Sequence, residues 1–323
     1  MKQFLCIPAL YVVAAFPCLA SAQEQQYPKL APEPIAHIGS AQITEMSGIV
    51  KSARRDNLYW VHNDSGDSAR IFAITAEGAS VLPTYSKFTY YGDAMEKGKQ
   101  QWQGFEVLYA SNVDWEDIAV DKNYLYIADT GNNANDRRDL TIYLVSEIDP
   151  TASTRSAVVK RLPIAYPEQT EFPPDRKHYD SESLFVADGK PYVITKHRGG
   201  GLLGLGWKAG ANLYRLDTNV ADKINLLTKV DTHPELRAAT GADLSPDGRT
   251  LAVLSYEYLY LFHDPVDDLW FSKGQMRRFA LDTDTFRQAE AITWESADSL
   301  LITNEQGDIF RVLVSTLPGK WSE

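Results

Sequence analysis

The sequence predicts an almost entirely β fold, closed into a β-propeller, and three observations support this. Short apolar runs recur as five strand, turn and strand units along the 323 residues. A third apolar run follows each unit, and no window of comparable length carries the apolar stripe of a helix. Repeated units of this kind are typical of propeller blades, in which the first strand lines a central channel. We therefore predict a single propeller domain over residues 33–317.

The five units are predicted to be hairpins because their turns favour tight reversals, as in Asp188-Gly189 and Pro246-Asp247-Gly248. The spacings between aligned starts are 69, 66, 59 and 49 residues, which suits one blade per unit. The aligned starts are Ser47, Glu116, Glu182, Gly241 and Glu290.

Five blades are favoured, with six as the alternative, because residues 80–110 contain KFTYYG and GFEVLYA and could form a degenerate extra blade. The last unit has no fourth strand of its own, and PIAHIGSAQ near the N-terminus has no hairpin partner. We expect the segment around Ile35 to Gly39 to pair with the strand around Ile309 to Val314. That pairing would close the ring and remove two exposed sheet edges.

The N-terminus carries the pattern of a secretory signal peptide over residues 1–22. Lys2 precedes an apolar stretch that is too short to cross a bilayer, and Ala20-Ser21-Ala22 forms the cleavage site. The expected protein is periplasmic or secreted, with a flexible segment over residues 23–32 and a C-terminal tail over residues 318–323. Both cysteines lie inside the leader, so disulfides and thiolate chemistry are not expected.

The charge balance argues against nucleic acid and anionic lipid as partners. The formal net charge of −11 becomes −12 when Lys2 is removed with the leader. After the leader, no apolar stretch is long enough for a membrane span.

Five short motifs carry a family resemblance: EMSGIV, DWEDIAV, DSESLFV, ATGADLS and QAEAITW. Their order resembles that in the SdiA-regulated family of secreted bacterial propellers and, more distantly, in phytase-like and esterase-like propellers. The resemblance implies a calcium ion near the propeller axis. The glycine that follows the family position survives only at Gly48, and the other units have Asp117, Ser183, Ala242 and Ala291 there.

The residues themselves also favour a metal site. Glu116, Glu182 and Glu290 begin channel-lining strands, so their carboxylates should converge on one axis and repel one another unless they are protonated or bridged by a cation. Calcium suits such oxygen ligands, and the histidines lack ligand spacing. The alternative is that these glutamates accept hydrogen bonds from backbone amides between blades.

Asp129-Thr130-Gly131 matches Asp64-Ser65-Gly66 in the first unit, which makes Asp64 and Asp129 candidate ligand-binding residues. Asp-Thr-Gly is also the signature of aspartic proteases, but a protease would place its two motifs in separate lobes. A turn in which Asp and Asn side chains bond the backbone is the favoured interpretation.

Three basic residues, Lys196, His197 and Arg198, precede a glycine-rich loop and could bind a small anion, although a solvated hairpin end is the favoured alternative. The apolar side chains of that loop, Trp207 among them, need burial over a propeller face or against a partner. Asn304, at the end of the fifth hairpin, completes the predicted ligand-binding set.

These features favour an exported calcium-binding propeller that recognises a small anionic ligand or a protein. The alternative is a metal-dependent hydrolase of a phosphoester, ester or lactone. The sequence leaves open whether the protein is an enzyme, because it contains neither Gly-x-Ser-x-Gly nor His-Glu-x-x-His.

The leader gives the first testable prediction. Mass spectrometry of protein purified from the native host should find an N-terminus near Gln23, because Ala22 ends the cleavage site. Finding Met1 intact on cytoplasmic protein would exclude export.

Overall fold

The computed structural model describes residues 27–84, 102–122, 124–200 and 206–321, and these are almost entirely β. Most of the described strands fall into five four-stranded antiparallel sets, and the outer strands of the first two sets also pair in parallel, which joins these two sets into one sheet. The first set contains β3 (Met46–Lys51), β4 (Tyr59–Asn63), β5 (Arg70–Ile74) and β6 (Phe105–Leu108). The second contains β7 (Trp115–Asp121), β8 (Tyr124–Asp129), β9 (Thr141–Ser146) and β10 (Arg155–Ala165).

The remaining sets repeat the same order. The third contains β11 (Asp180–Ala187), β12 (Lys190–Gly200), β14 (Ala211–Arg215) and β16 (Thr228–His233). The fourth contains β17 (Ala239–Leu244), β18 (Thr250–Ser255), β19 (Tyr258–His263) and β20 (Gln275–Leu281). The fifth contains β21 (Ala289–Trp294), β22 (Ser299–Asn304) and β23 (Asp308–Leu313), completed by β2 (Pro34–His37).

Smaller elements decorate the edges of these sets. Three short strands pair outside the four-stranded pattern: β1 (Lys29–Leu30) with β20, β13 (Gly206–Lys208) with β12, and β15 (Asn225–Leu226) with β10. Within the described ranges the helices are α1 (Trp270–Lys273), α2 (Thr283–Phe286) and a 3₁₀ turn (Val314–Thr316). None of the helices in the described ranges has the length and apolar composition needed to cross a membrane.

The sets are the blades of a propeller, because their first strands contact one another in a closed order: β3, β7, β11, β17, β21 and again β3. The buried apolar residues accordingly form five clusters, each between two neighbouring blades. The predicted fold class, an almost entirely β propeller, is confirmed.

The predicted closure by the N-terminal strand is also confirmed. In the antiparallel pair of β2 with β23, Ala36 lies opposite Ile309 and His37 lies opposite Asp308. Residues 80–110 were considered for an extra blade. Within them, β6 is the outer strand of blade one. The signal peptide, the two cysteines and residues 85–101 lie outside the described residues.

One buried carboxylate joins three blades near the axis. Asp117, on β7, is fully buried, and its Oδ2 accepts backbone N–H groups of Leu184 at 2.7 Å and Ala242 at 3.2 Å. Its Oδ1 accepts the backbone N–H of Ile118 at 2.8 Å. These bonds offset the cost of burying a carboxylate and satisfy amides from blades two, three and four. Asp117 occupies a position where the resembled family has glycine, and its carboxylate thus links three blades.

Side-chain hydroxyls make similar links around the ring. Ser47 Oγ donates to the carbonyl of Glu116 at 2.6 Å, and Thr130 Oγ1 donates to that of Ser181 at 2.9 Å. Blades one and five are joined where Lys51 N donates to Thr293 Oγ1 at 3.2 Å. Each bond crosses from one blade to a neighbouring blade, so the blades are held in register by polar contacts as well as apolar packing.

The Asp117 link predicts a large stability effect from a conservative change. Asp117→Asn keeps the shape but replaces one acceptor oxygen by an NH₂ group, so at least one buried backbone N–H loses its partner. We expect the free energy of unfolding in urea to fall by about 1–3 kcal/mol. Asp121→Asn, at the far end of the same strand and half-buried, is the control and should change it by less than about 0.5 kcal/mol. Equal effects of the two changes would contradict the proposed role of Asp117.

Candidate functional site

A β-bulge in the first strand of every blade positions the candidate site. Each first strand pairs with its second strand in a register that shifts by one residue near the start of the strand. A bulge leaves one residue unpaired and re-aims its side chain. The five unpaired residues are Ser47, Glu116, Glu182, Thr240 and Glu290.

The predicted equivalence of Gly241 with the glutamates is wrong by one residue. Ala239 lies opposite Ser255 and Gly241 lies opposite Leu254, so Thr240 is the bulged residue. Gly241 is instead equivalent to Gly48 and lies where blades four and five approach closely. A Cβ on Gly241 would lie 3.1 Å from the carbonyl oxygen of Glu290.

The three bulged glutamates open into one pocket at this end of the channel, as predicted. The pocket, which we call the axial pocket, has a volume of about 310 Å³. Its carboxylates are Glu45, Asp64, Glu116, Glu182, Glu290 and Glu305. Met46, Ser47, Asn133, Arg198, Trp207, Tyr256 and Gln288 complete the lining.

An internal cation lies against these carboxylates. Lys196 is fully buried, and its ammonium forms an ion pair with Glu182. Its Nζ also lies 5.8 Å from the ring centroid of Trp207 and 5.3 Å from that of Tyr256. Burial lowers the pKa of the Lys196 ammonium, and the surrounding carboxylates act in the opposite direction. Repulsion among the glutamates is therefore relieved in part by a side chain of the protein itself.

Arg198 neutralises a second part of the acidic cluster. Its guanidinium lies 2.7 Å from Asp180 Oδ2 and 3.7 Å from Glu182 Oε1. Asp180 is fully buried and also accepts the backbone N–H of Asn132 at 2.8 Å. The positive charges of Lys196 and Arg198, for which an anion was one predicted partner and a solvated hairpin end the favoured alternative, are thus paired with carboxylates of the protein.

Asp64, Asp114 and Glu116 form a second group of carboxylates, and no basic side chain among the described residues forms an ion pair with them. Oxygens of Asp64, Asp114 and Glu116 lie within 4.8 Å of one another. Across the described ranges, no salt bridge links any of the three to a basic side chain. Burial, followed by the charge of Asp64, raises the pKa of Asp114 to about 6. Burial likewise raises the pKa of Glu116 well above its usual range.

The Asp-Thr-Gly segment makes room for this trio. A Cβ on Gly131 would overlap with the carboxylates of Glu116 and Asp114, so only glycine lets them approach there. Asp129 is paired with Arg137 at 2.8 Å and accepts the backbone N–H of Asp114 at 3.0 Å. Asp129 thus positions the backbone of Asp114, and its side chain bonds the backbone as the interpretation as a turn predicts.

The match of Asp64 with Asp129 is shifted by one residue in the structure. Met46 lies opposite Asn63, whereas Trp115 lies opposite Asp129, so Asn63 is the true counterpart of Asp129. Asp64 instead corresponds to Thr130 and lines the axial pocket.

Two other predicted ligand-binding residues lie away from the pocket lining. The buried His197 ring stacks on His178 with ring centroids 3.6 Å apart. Asn304 is fully buried, and its side chain holds a turn by accepting the backbone N–H of Asp308 at 2.9 Å. Trp207 gains its expected burial partly against Tyr256, with ring centroids 5.0 Å apart.

Sequence reasoning missed several members of the site. Asp114 and Asp180 each precede a bulged glutamate by two residues, and the Asp-x-Glu pattern in DWED and DSES was the available signal. Tyr256 and Glu305 occupy equivalent positions, each directly after the second strand of its blade. Arg137, the partner of Asp129, had no comparable signal.

Comparisons with known proteins find only distant structural similarities. No family model and no curated protein matches the chain. A luciferin-regenerating enzyme is 13% identical with a TM-score of 0.43, and the match covers 90% of this chain and 78% of that chain. Streptogramin B lyase is 13% identical with a TM-score of 0.40, and the match covers 90% and 86%. A Bacteroides thetaiotaomicron protein of unknown function is 12% identical with a TM-score of 0.40, covering 88% and 75%.

The buried ion pair predicts a strong coupling between its two partners. Lys196→Met removes the charge and leaves Glu182 buried beside other carboxylates, so the free energy of unfolding should fall by about 3–5 kcal/mol. Adding Glu182→Gln should restore part of this loss, which a double-mutant cycle in urea measures. Lys190→Met, on the same strand, removes a surface partner of Asp217 and should cost less than about 1 kcal/mol. Additive effects of the two buried changes would show that the pair is not coupled.

Proposed function

We propose that the axial pocket holds a divalent cation, calcium in preference to others, and that the protein is a binding module whose ligand is recognised there. The observation that carries this proposal is the trio of Asp64, Asp114 and Glu116. Its oxygens lie within 4.8 Å of one another, and the basic side chains of the pocket are engaged by other carboxylates.

The donor chemistry fits calcium. Carboxylate oxygens are the ligands that calcium prefers, and an amide oxygen from Asn133, which lines the same pocket, is of the same class. The glycine at position 131 keeps side-chain carbon out of this space. A bound cation would neutralise the trio and leave coordination positions for oxygen atoms of a ligand. Asp64, Asp114 and Glu116 replace the predicted set of three glutamates, because Lys196 already contacts Glu182.

The rest of the pocket suits a ligand with both polar and ring-like parts. Trp207 and Tyr256 form an aromatic wall, and the indole Nε1 of Trp207 is buried without a hydrogen-bond acceptor among the described residues. Glu45, Glu290 and Glu305 add acceptors at the same pocket. This lining favours a ligand that donates hydrogen bonds or carries positive charge over a bare anion.

Export and family membership form part of the same proposal. The N-terminal leader pattern supports a periplasmic or secreted location, where calcium is available to an exposed site. The ordered motifs that contain Ser47, Glu116, Glu182 and Glu290 support a place among the SdiA-regulated propellers.

A calorimetric titration tests the cation. Protein stripped with a chelator should release or absorb heat when calcium is added, and its melting temperature should rise with calcium concentration. At a hundredfold excess over Kd the stabilisation is about 2.7 kcal/mol. Asp114→Asn should weaken binding because it removes one carboxylate of the trio. Asp121→Asn, at the far end of strand β7, is the control, and it should bind calcium with the affinity of the parent protein. No heat and no change in melting temperature would exclude the site.

A hydrolase acting through the same cation is the second candidate. Glu290 and Glu305 lie in the pocket beside the trio, where a carboxyl group could exchange a proton with water. Calcium-loaded protein is assayed with phosphomonoester, ester and lactone substrates. Turnover that Asp114→Asn and Glu290→Gln both abolish would establish the hydrolase, and calcium binding without turnover would leave the binding module.

A further inference from the structure

Three exposed basic side chains of blade three have no acidic partner. Arg176 lies in the loop before β11, Lys208 ends β13, and Lys229 lies on the outer strand β16. Within the described ranges none of the three forms a salt bridge, whereas Arg215 on the adjacent β14 pairs with Asp217 at 2.7 Å. The chain has a net charge of −11, so carboxylates are plentiful as partners, yet these three basic side chains use none.

Two stacked imidazoles lie among these charges. His178 precedes β11 and His197 lies on β12, and their ring planes are 6° from parallel with centroids 3.6 Å apart. Lys208 lies opposite His197 in the pairing of β12 with β13. Burial lowers the pKa of His178, and the positive charges of Arg176, Lys208 and Lys229 lower it further. The three cations therefore converge on one imidazole.

His178 is the accessible member of the stacked pair. The His197 ring is buried and bonded to the backbone of Ala209, and a Cβ on Gly210 would overlap with it, so this ring is fixed. His178 is only half-buried, and the three basic side chains around it are exposed. A ligand can therefore reach His178 and the three cations from the surface, without entering the apolar core.

Carboxylates of the same loop do not neutralise this cluster. Glu168 accepts a hydrogen bond from the hydroxyl of Tyr214 at 3.2 Å. Neither Glu168 nor Glu171 nor Asp175 forms a salt bridge with any basic side chain that the structure describes. The cluster thus has charge of one sign, which an anion would neutralise.

We propose that Arg176, His178, Lys208 and Lys229 bind a phosphate or sulfate group, either free or carried by a larger ligand. Such a group carries about two negative charges and several acceptor oxygens, so it can accept hydrogen bonds from guanidinium, ammonium and imidazole together. A single carboxylate offers one charge and two oxygens. None of the four residues lines the axial pocket, so the site is distinct from the proposed calcium site.

Isothermal titration with sulfate, inorganic phosphate and glycerol 3-phosphate tests the proposal. The mature chain is used in the presence of a chelator and at constant ionic strength, because salt screens exposed charges. All three anions should bind saturably, since they share the tetrahedral group. Tighter binding of glycerol 3-phosphate than of inorganic phosphate would identify a carried group as the ligand, and equal affinities would identify the free anion.

Variants separate this site from the general charge of the surface. Lys208→Gln and Arg176→Gln each remove one charge-assisted hydrogen bond and should each weaken sulfate binding by about tenfold. Lys190→Gln is the matched control, because it removes the same charge from β12 but at the other end of that strand, where Lys190 pairs with Asp217 at 2.9 Å. Its affinity for sulfate should equal that of the parent.

Histidine ring signals in NMR spectra locate the bound anion. The signals of His178 should shift with sulfate, and those of His62, fully buried in blade one, should not. The proposal would be overturned by no saturable binding of any of the three anions at millimolar concentration, by equal losses in Lys190→Gln and Lys208→Gln, or by His178 signals that do not move. Melting curves verify that each variant is folded. Calcium is absent from these measurements, so they stand apart from the calcium titration.

Discussion

The whole ring depends on the bonds that Asp117 makes across the axis. A propeller has no single central core, because its apolar residues lie in five separate layers between neighbouring blades. Near the axis the first strands approach too closely for large side chains, as the contacts of Gly48 and Gly241 show. One carboxylate with two acceptor oxygens satisfies amides of three blades in this narrow space. Apolar packing joins neighbours in pairs, whereas Asp117 of blade two also bonds an amide of blade four, which is not its neighbour.

The same convergence that makes Asp117 useful makes the bulged glutamates costly. Three carboxylates are aimed into one pocket, and burial raises the pKa of Glu116 and Glu290, which favours their neutral forms. Lys196 and Arg198 neutralise the side of the pocket near Glu182 and Asp180. Oxygens of Asp64, Asp114 and Glu116 lie close together, and within the described ranges these three carboxylates form no salt bridge with a basic side chain. The site is therefore asymmetric although the blades repeat, and the asymmetry locates the proposed cation.

The repeat pattern allowed the strands, the closing strand and the inward glutamates to be predicted, because apolar alternation and turn residues report them directly. The register of each bulge was not predictable, since a one-residue insertion near the start of a strand leaves the apolar pattern after it unchanged. That is why Gly241 was matched in place of Thr240 and Asp64 in place of Asn63. The partner of Glu182 was hidden for another reason. Lys196 looked like one of three exposed basic residues, and only the pairing of Asp180 with Lys196 across β11 and β12 brings it inward.

The two ends of the channel differ because the first strands have different chemistry at their two ends. At the start of the first strands the bulges place Ser47, Glu116, Glu182 and Glu290 at the axial pocket, which favours ions and charged groups. Toward the other end the strands place Val50, Val120, Val186 and Leu244 at a second, larger cavity, where Arg249 and Asp264 form a pair. Asp117 and its small neighbours lie between the two ends. Packed backbone around Asp117 thus lies between the charge of the axial pocket and the larger cavity, and the two linings share no residue among those described.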